Sequence, residues 1–274
     1  MSHIEKIREI NAVVHFGAGA FPPVEAYFAA GANRIILVEA NPYFVASLRE
    51  RFAHDAKIEI VDAAISNKES DELFRIFNLS SASSLREPTG LGEIYKSLRV
   101  EKEFSVRTTP ADGFTRRLKL SPEDKNLLVL DTPGEEFPIL KNLAGADLLT
   151  LFSDIIVHGQ ERPLYKGAAA IVSIKRYLEE NGFAASIDNA DADWPVLICA
   201  TSPIHKEKAE LTAKLSALQE QLAAEQEKHR TEKTELEEKL SNARLRTELF
   251  QSEIDNADAQ IALIKEMLIR DNAS

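Results

Sequence analysis

The sequence predicts an α/β protein: a doubly wound, Rossmann-like parallel sheet followed by one long α-helical coiled coil. Three observations support this fold class. Residues 13–41 contain an apolar run, a glycine-rich turn, a helical stretch and a second apolar run. Residues 1–203 repeat this alternation, whereas residues 204–274 contain neither glycine nor proline and repeat apolar residues at heptad spacing. We therefore predict two domains, 1–203 and 204–274.

Composition excludes several classes of protein. The 274 residues are enough for a sizeable core, and the net charge of −11 provides no basic field for nucleic acid. The single cysteine, Cys199, excludes an internal disulfide framework. No apolar stretch reaches the roughly 18 residues of a membrane span, and the N-terminus lacks the apolar core of a signal peptide. We expect a soluble, cytoplasmic protein with no membrane span and no nucleic-acid partner.

The first strand and turn carry the main functional indication. The apolar residues 13–16 precede Gly17 and Gly19, and the next apolar run ends in Glu39. In a parallel sheet such glycines let a ligand approach the backbone, and a carboxylate at the strand tip accepts hydrogen bonds from a ribose diol. The pattern predicts an adenosine-containing cofactor.

The remaining elements of the first domain follow from apolar runs separated by helical stretches. We predict strands at about 12–16, 35–39, 58–62, 127–131, 154–158 and 195–200. We predict helices at 42–53 and at 168–181, the second ending at Gly182.

Residues 70–120 interrupt the alternation. They contain two expected hairpin strands, 73–78 and 104–109, on either side of a serine-rich loop. An insertion over the carboxyl edge of the sheet is where an acceptor would be recognised. The loop serines are either donors to acceptor hydroxyls or part of a plain flexible loop; they are Ser80, Ser81, Ser83 and Ser84.

The glycine turn does not match a dinucleotide fingerprint. That fingerprint has a third glycine where this chain has Pro22, and no phosphate-binding loop of the Walker type occurs. An NAD-dependent oxidoreductase is therefore the weaker alternative.

Six segments in order resemble the FkbM-type S-adenosylmethionine-dependent methyltransferases. They are VVHFGAG, ILVEANP, IVDAAISN, SSASSL, VRTTPADGF and LLVLDTPGEEFPILKNL, and the closing YLEENGF and DADWPVL are similar too. The resemblance covers about residues 11–200. It implies a methyltransferase sheet that binds S-adenosyl-L-methionine and transfers a methyl group to a hydroxyl of a sugar, glycan or related small metabolite.

The resemblance also implies which residues bind the cofactor. They are Gly17, Ala18, Gly19, Glu39, Asp62, Ala63 and Asp131. The glycine turn would lie beside the methionine portion of the cofactor, and Glu39 would bind its ribose hydroxyls. Asp62 with Ala63 would face the adenine. Asp131 would lie beside the methionine portion and the reaction centre.

Two residues are candidates for catalysis. His158 ends an apolar strand and has the side chain best suited to a general base near neutral pH; the alternative is a hydrogen bond to a neighbouring loop or to Glu161. Asp131 would act at the reaction centre; the alternative is that it caps the turn through Pro133 and Gly134. No cluster has metal-ligand spacing, so we expect no metal.

Some residues differ from the family pattern. The family commonly has acidic residues where this chain has His15 and His158. These differences favour an alternative function, a catalytically degenerate methyltransferase-fold scaffold. We expect a structural hydrogen bond at His15, and a solvated helix start at Glu135 and Glu136.

The heptad pattern of the second domain predicts self-association as a dimer or trimer. Its apolar positions are Leu211, Leu215, Leu218, Leu222, Leu236, Leu240, Ala243, Thr247, Phe250, Ile254, Ala257, Ile261, Ile264 and Leu268. A helical hairpin and a spacer within a longer polypeptide are the alternatives.

Overall fold

The computed structural model describes residues 4, 7–189 and 194–271, and, within the C-terminal helix, the side chains of residues 207, 211 and 214–265. Residues 191–193 of the DADWPVL segment and the heptad side chain of Leu268 lie outside this description. The chain divides into two compact units, Met1–Glu207 and Lys208–Ser274. Within the described residues, no helix has the length and apolarity needed to cross a bilayer.

The described residues form ten strands. They are β1 (Ala12–Phe16), β2 (Arg34–Glu39), β3 (Ile58–Asp62), β4 (Ala64–Ser66), β5 (Asp71–Phe77), β6 (Val100–Pro110), β7 (Asn126–Leu130), β8 (Asp154–His158), β9 (Phe183–Asp188) and β10 (Val196–Thr201). The helices are α1 (Val24–Ala29), α2 (Pro42–Arg51), α3 (Leu91–Ile94), α4 (Ala111–Leu118), α5 (Glu136–Gly145), α6 (Ile171–Glu180) and α7 (Pro203–Asp271).

Seven strands form the central sheet, in the order β3-β2-β1-β7-β8-β10-β9. Strands β1, β2, β3, β7 and β8 pair in parallel. The predicted α/β fold is therefore confirmed. The sheet departs from the parallel arrangement in one strand, because β10 runs antiparallel to both β8 and β9. Strand β9 was not among the predicted strands.

Local sequence explains where the elements begin and end. Strand β1 (AVVHF) is buried along its whole length, as expected for a central strand covered on both faces. The Asn41 side chain caps α2 by accepting a hydrogen bond from the Tyr43 amide, and Pro42 occupies the first turn. Gly182, with a φ of +95°, follows α6 in the left-handed conformation that ends helices.

The insertion forms a second, three-stranded sheet. The predicted hairpin strands are β5 and β6, which pair antiparallel. Strand β6 also pairs in parallel with β4, which lies only one residue after β3. The insertion is thus joined by backbone pairing to the chain that leaves the central sheet, and it lies near the carboxyl ends of the strands.

Alternating side chains of the central strands enter two apolar cores on opposite faces of the sheet. On β1, Val14 and Phe16 belong to the core that includes α4, α5 and α6. Val13 belongs to the other core, which includes Tyr27 of α1 and Leu48 of α2. Burying each such large side chain contributes about 1.5–3 kcal/mol. The carboxyl ends of the strands are thereby held on a rigid base.

The second unit is α-helical throughout its described length. Helix α7 has 69 residues, which at 1.5 Å per residue corresponds to roughly 100 Å. The prediction of one uninterrupted helix is confirmed. The heptad side chains that the structure describes are exposed in the single chain; for example, Leu222 is 56% exposed and Ile254 is 54% exposed.

Candidate functional site

The turn after β1 is built for close packing. Gly17 has a φ of +80°, and a Cβ at this position would lie 1.9 Å from the carbonyl oxygen of Asp131. The amides of Gly17 and Ala18 donate to the Val38 carbonyl at 2.9 and 3.0 Å. Only glycine at position 17 lets the turn lie against both β2 and the end of β7.

The carboxylate of Glu39, at the end of β2, holds this turn. Its Oε2 accepts a 2.7 Å hydrogen bond from the Gly19 amide. Its Oε1 accepts from the amides of Ala40 and Asn41 at 2.9 and 2.7 Å. The side chain is buried, and burial raises the pKa of Glu39, with backbone hydrogen bonds opposing this and Asp131 adding to it.

The first cavity, of about 280 Å³, opens at this edge of the sheet. Five of the predicted site residues line it: Gly17, Gly19, Glu39, Ala63 and Asp131. The four loop serines line it as well, so the insertion forms one wall. A Cβ on Gly19 would meet no atom within 4 Å, so the backbone of the turn faces open space there. The cavity therefore brings a glycine turn and the carboxylates of Glu39, Asp131 and Glu135 around one ligand-sized volume.

Two predicted cofactor residues lie elsewhere. Asp62 ends β3, where it pairs in register with Glu39, but its exposed side chain lies outside the lining of the first cavity. Ala18 lines a different, second cavity, also of about 280 Å³. The roles predicted for both residues stay predictions.

Asp131 lies between the two cavities and lines both. Its amide donates to the Phe16 carbonyl at 2.9 Å, which fixes the end of β7 against β1. Asp131 is exposed at the cavities that it lines, while the neighbouring protein atoms desolvate its carboxylate. Burial raises the pKa of Asp131, and His158 acts in the opposite direction. His158 is half-buried at the end of β8 and lines the second cavity.

His15 also lines the second cavity, and its predicted structural hydrogen bond is present. Its Nδ1 is 2.9 Å from the hydroxyl of Tyr27. Its Nε2 is buried and has no hydrogen-bond partner among the described residues. Burial, followed by the charge of His158, lowers the pKa of His15 to about 3, so the imidazole is neutral at neutral pH.

The expectation of a solvated helix start at Glu135 and Glu136 is wrong. Both side chains are buried. Glu135 forms an ion pair with Arg86 and accepts a 2.7 Å hydrogen bond from the Ser66 hydroxyl. These contacts fasten the insertion to the start of α5, beside the first cavity. These contacts are not predictable from local sequence, because Ser66 and Arg86 lie 69 and 49 residues away from Glu135.

Glu136 is held within its own turn. Its Oε2 accepts a 3.0 Å hydrogen bond from the Gly134 amide. Burial raises the pKa of Glu136 well above its ordinary value, and the charges of Asp131 and Glu135 act in the same direction. This edge of the sheet thus concentrates several buried carboxyl groups around Asp131.

The sheet order, the glycine turn and the carboxylate at the end of β2 define a Rossmann-like domain with a nucleoside-type site at its carboxyl edge. A family profile described as "Methyltransferase FkbM domain" matches residues 12–184. The chain therefore belongs to the FkbM-domain methyltransferase family. Membership of this family supports S-adenosylmethionine as the cofactor.

Several solved structures are similar to this fold at low sequence identity. An rRNA methylase from Streptococcus thermophilus is 6% identical, with 73% of this chain and 91% of that chain covered and a TM-score of 0.40. A SAM-dependent methyltransferase from Aquifex aeolicus is 10% identical, covering 73% and 89%, with a TM-score of 0.39. M. jannaschii TYW2 in complex with AdoMet is 13% identical, covering 72% and 70%, with a TM-score of 0.37. Among curated proteins, none matches this chain.

In the part of the chain that the structure describes, no group of three or more His, Cys, Asp or Glu side chains is arranged to hold a metal ion.

Proposed function

We propose that residues 1–203 form an S-adenosylmethionine-dependent O-methyltransferase domain that methylates a hydroxyl of a sugar, glycan or related small metabolite. The observation that carries this proposal is the first cavity, with the Gly17–Gly19 turn, Glu39 and Asp131 in its wall. When bound, the cofactor supplies an electrophilic methyl group. The cofactor-binding set remains Gly17, Ala18, Gly19, Glu39, Asp62, Ala63 and Asp131.

The residues of the first cavity suit a nucleoside with an amino-acid tail. A carboxylate offers about four acceptor positions, and three of those on Glu39 are taken by backbone amides. The remaining position is free to accept a ribose hydroxyl. The open space above Gly19 lets the ligand approach the backbone, and Asp131 provides a carboxylate next to the tail.

His158 and Asp131 are the proposed catalytic residues. An alcohol is a weak nucleophile at neutral pH, so proton removal by a positioned base assists its attack. His158 lines the cavity that adjoins the first one, and Asp131 lines both. In this proposal His158 accepts the hydroxyl proton, and Asp131 helps to orient the reacting groups.

Calorimetric titration with S-adenosylmethionine, S-adenosylhomocysteine and NAD tests the cofactor. We expect the first two to bind and Glu39→Ala to weaken both at least tenfold, a loss of about 1.4 kcal/mol or more. Glu59→Ala is the matched control, because it removes an exposed carboxylate from the neighbouring strand β3. Equal binding by the two variants, or preferential binding of NAD, would contradict the proposal.

A degenerate scaffold is the second candidate. It is favoured by the neutral His15 in a position where the family commonly has an acid. Turnover of the methyl donor with a panel of sugars separates the two functions. Methylated product supports the enzyme, whereas cofactor binding without product from any acceptor supports the scaffold.

Residues 204–274 are proposed to form a coiled coil that makes the protein a dimer or trimer. Most of the described heptad side chains are large, apolar and exposed in the single chain, and a second copy of the helix would cover them. The single cysteine, Cys199, is buried as a free thiol, which agrees with a proposed cytoplasmic location.

A further inference from the structure

The second cavity adjoins the first one, and the proposed ribose-binding residue Glu39 lies outside its lining. The two cavities have the same volume of about 280 Å³ and share Asp131 and Phe21 in their walls. Ligand sites are typically about 300–1,000 Å³, so the first cavity has room for one ligand of moderate size. A methyl acceptor needs a separate space that meets the cofactor at the reacting atoms.

A buried polar atom indicates that the second cavity receives a ligand. Buried polar side-chain atoms are nearly always hydrogen-bonded, and leaving one unpaired costs about 1–3 kcal/mol. The Nε2 of His15 has no partner among the described residues, although the side chain is only 3% exposed. The Tyr27 hydroxyl occupies Nδ1, so Nε2 is the atom left to complete a hydrogen bond.

The remaining walls restrict the chemistry of that ligand. Apolar side chains form much of the lining, among them Phe21, Val129 and Ile156. The polar groups are few, and the shared carboxylate of Asp131 disfavours an anion. A neutral molecule with one apolar face and hydroxyl groups on the other fits this distribution.

We infer that the second cavity binds the methyl acceptor, a neutral hydroxyl compound with an apolar face, and that His15 Nε2 hydrogen-bonds one of its hydroxyls. This inference rests on the proposed function. A neutral imidazole either donates or accepts at Nε2, depending on which nitrogen carries the proton, and a hydroxyl can satisfy both cases. His158, in the same lining, then lies beside the bound hydroxyl compound.

The test measures binding of a simple probe to the protein saturated with S-adenosylhomocysteine. The probe is methyl α-L-rhamnopyranoside, which has a methyl group and free hydroxyls, and its anionic counterpart is methyl β-D-glucuronide. We expect the rhamnoside to bind and the glucuronide not to bind. His15→Phe should weaken rhamnoside binding at least tenfold. Its affinity for S-adenosylhomocysteine should stay within twofold of the wild-type value.

Two further variants complete the experiment. Thr115→Val is the control, because Thr115 Oγ1 is also buried without a partner among the described residues but lies outside both cavities. It should change neither affinity. Val129→Ile places one more methylene in the second cavity and should weaken the rhamnoside even if His15→Phe fails to fold.

Three outcomes would overturn the inference. The first is no rhamnoside binding to the saturated wild-type protein, and the second is rhamnoside binding that neither cavity variant changes. The third is a cavity variant that binds S-adenosylhomocysteine tenfold more weakly but binds adenosine as well as the wild-type protein does. That result would assign the second cavity to the amino-acid tail of the cofactor. Failure of the proposed function is distinguishable, because the wild-type protein would then not bind S-adenosylhomocysteine at all.

Discussion

The Glu39 carboxylate accepts a 2.7 Å hydrogen bond from the backbone amide of Gly19, twenty residues earlier in the chain. This bond joins the end of β2 to the turn that follows β1. It also reduces the number of acceptor positions that Glu39 can offer, because its other oxygen already binds two amides. The carboxylate is therefore both a structural part of the turn and a ligand-binding group.

The first prediction follows from this shared use. With one acceptor position free, Glu39 binds one ribose hydroxyl strongly, not two. We expect one of the 2′-deoxy and 3′-deoxy forms of S-adenosylhomocysteine to bind at least tenfold more weakly than the parent, and the other to bind within about threefold, as measured by calorimetry. Similar tenfold losses for both analogues would mean that the Gly19 amide releases Glu39 when the ligand binds.

The second prediction compares the two glycines of the turn. Gly17→Ala places a Cβ 1.9 Å from the Asp131 carbonyl oxygen at a positive φ, so it should lower the free energy of unfolding by about 3 kcal/mol or more. Gly19→Ala has the strain of a positive φ but no clash, and should cost about 1–2 kcal/mol. Urea denaturation measures both. Because position 19 faces the first cavity, Gly19→Ala should also weaken the binding of S-adenosylhomocysteine. Equal stability of the two variants would refute the packing argument.

The third prediction concerns the ion pair between Arg86 and Glu135. The Glu135 side chain is 3% exposed and that of Arg86 is 27% exposed, so removing the arginine leaves a buried carboxylate with Ser66 as its remaining partner. Arg86→Met should lower the free energy of unfolding by about 3 kcal/mol. Arg107→Met is the control, because the ion pair between Arg107 and Glu69 is exposed. Its loss should change the free energy of unfolding little. Equal losses from the two variants would show that the buried pair does not fasten the insertion.

The fourth prediction is a pH dependence from His15, which faces Tyr27, Asp131 and His158. Burial lowers the pKa of His15 to about 3 in the folded protein, against 6.5 for an unperturbed histidine. Between these values the unfolded chain binds more protons, so this contribution to stability is present above pH 6.5 and is lost as the pH falls toward 3.

The pKa values of Glu39 and Glu136 are raised, so these groups increase the free energy of unfolding as the pH falls, opposite to His15. A comparison with His15→Phe is therefore needed to isolate the contribution of the histidine. Below pH 6 the free energy of unfolding of the wild-type protein should fall by about 1.4 kcal/mol more per pH unit of acidification than that of the variant. Urea denaturation at a series of pH values measures this difference. Parallel pH profiles would show that His15 is protonated in the folded protein.

Apolar runs were sufficient to predict most of the central sheet. Strands β1, β2, β7 and β8 are within one residue of their predicted bounds, because buried parallel strands consist largely of continuous apolar residues. The partly buried edge strand β3 (IEIVD) also has its predicted bounds. Strand β9 (FAASID) lies at the edge of the sheet and alternates weakly, so its pattern is not distinctive. The reversed direction of β10 depends on topology, which a single apolar run does not encode.

The candidate site was predicted only where its residues lie at strand ends. Gly17, Gly19, Glu39 and Asp131 follow apolar runs, and the carboxyl ends of parallel strands meet at one edge. The burial of Glu135 could not be predicted in the same way, because it depends on partners brought from the insertion by tertiary folding. The second cavity likewise depends on packing between β1, α1 and β8.

The last prediction concerns self-association through α7. Ile254 occupies a heptad position and is 54% exposed in the single chain, whereas Ser252 lies on the opposite side of the helix by heptad spacing. In the 274-residue chain, Ile254→Asp should lower the mass measured by light scattering toward that of a monomer, because it places a charge in the apolar seam. Ser252→Asp adds the same charge outside the seam and should leave the mass unchanged. Because both substitutions introduce the same side chain two residues apart, a loss of mass in both would indicate general helix disruption, and an unchanged mass in Ile254→Asp would place the contact elsewhere.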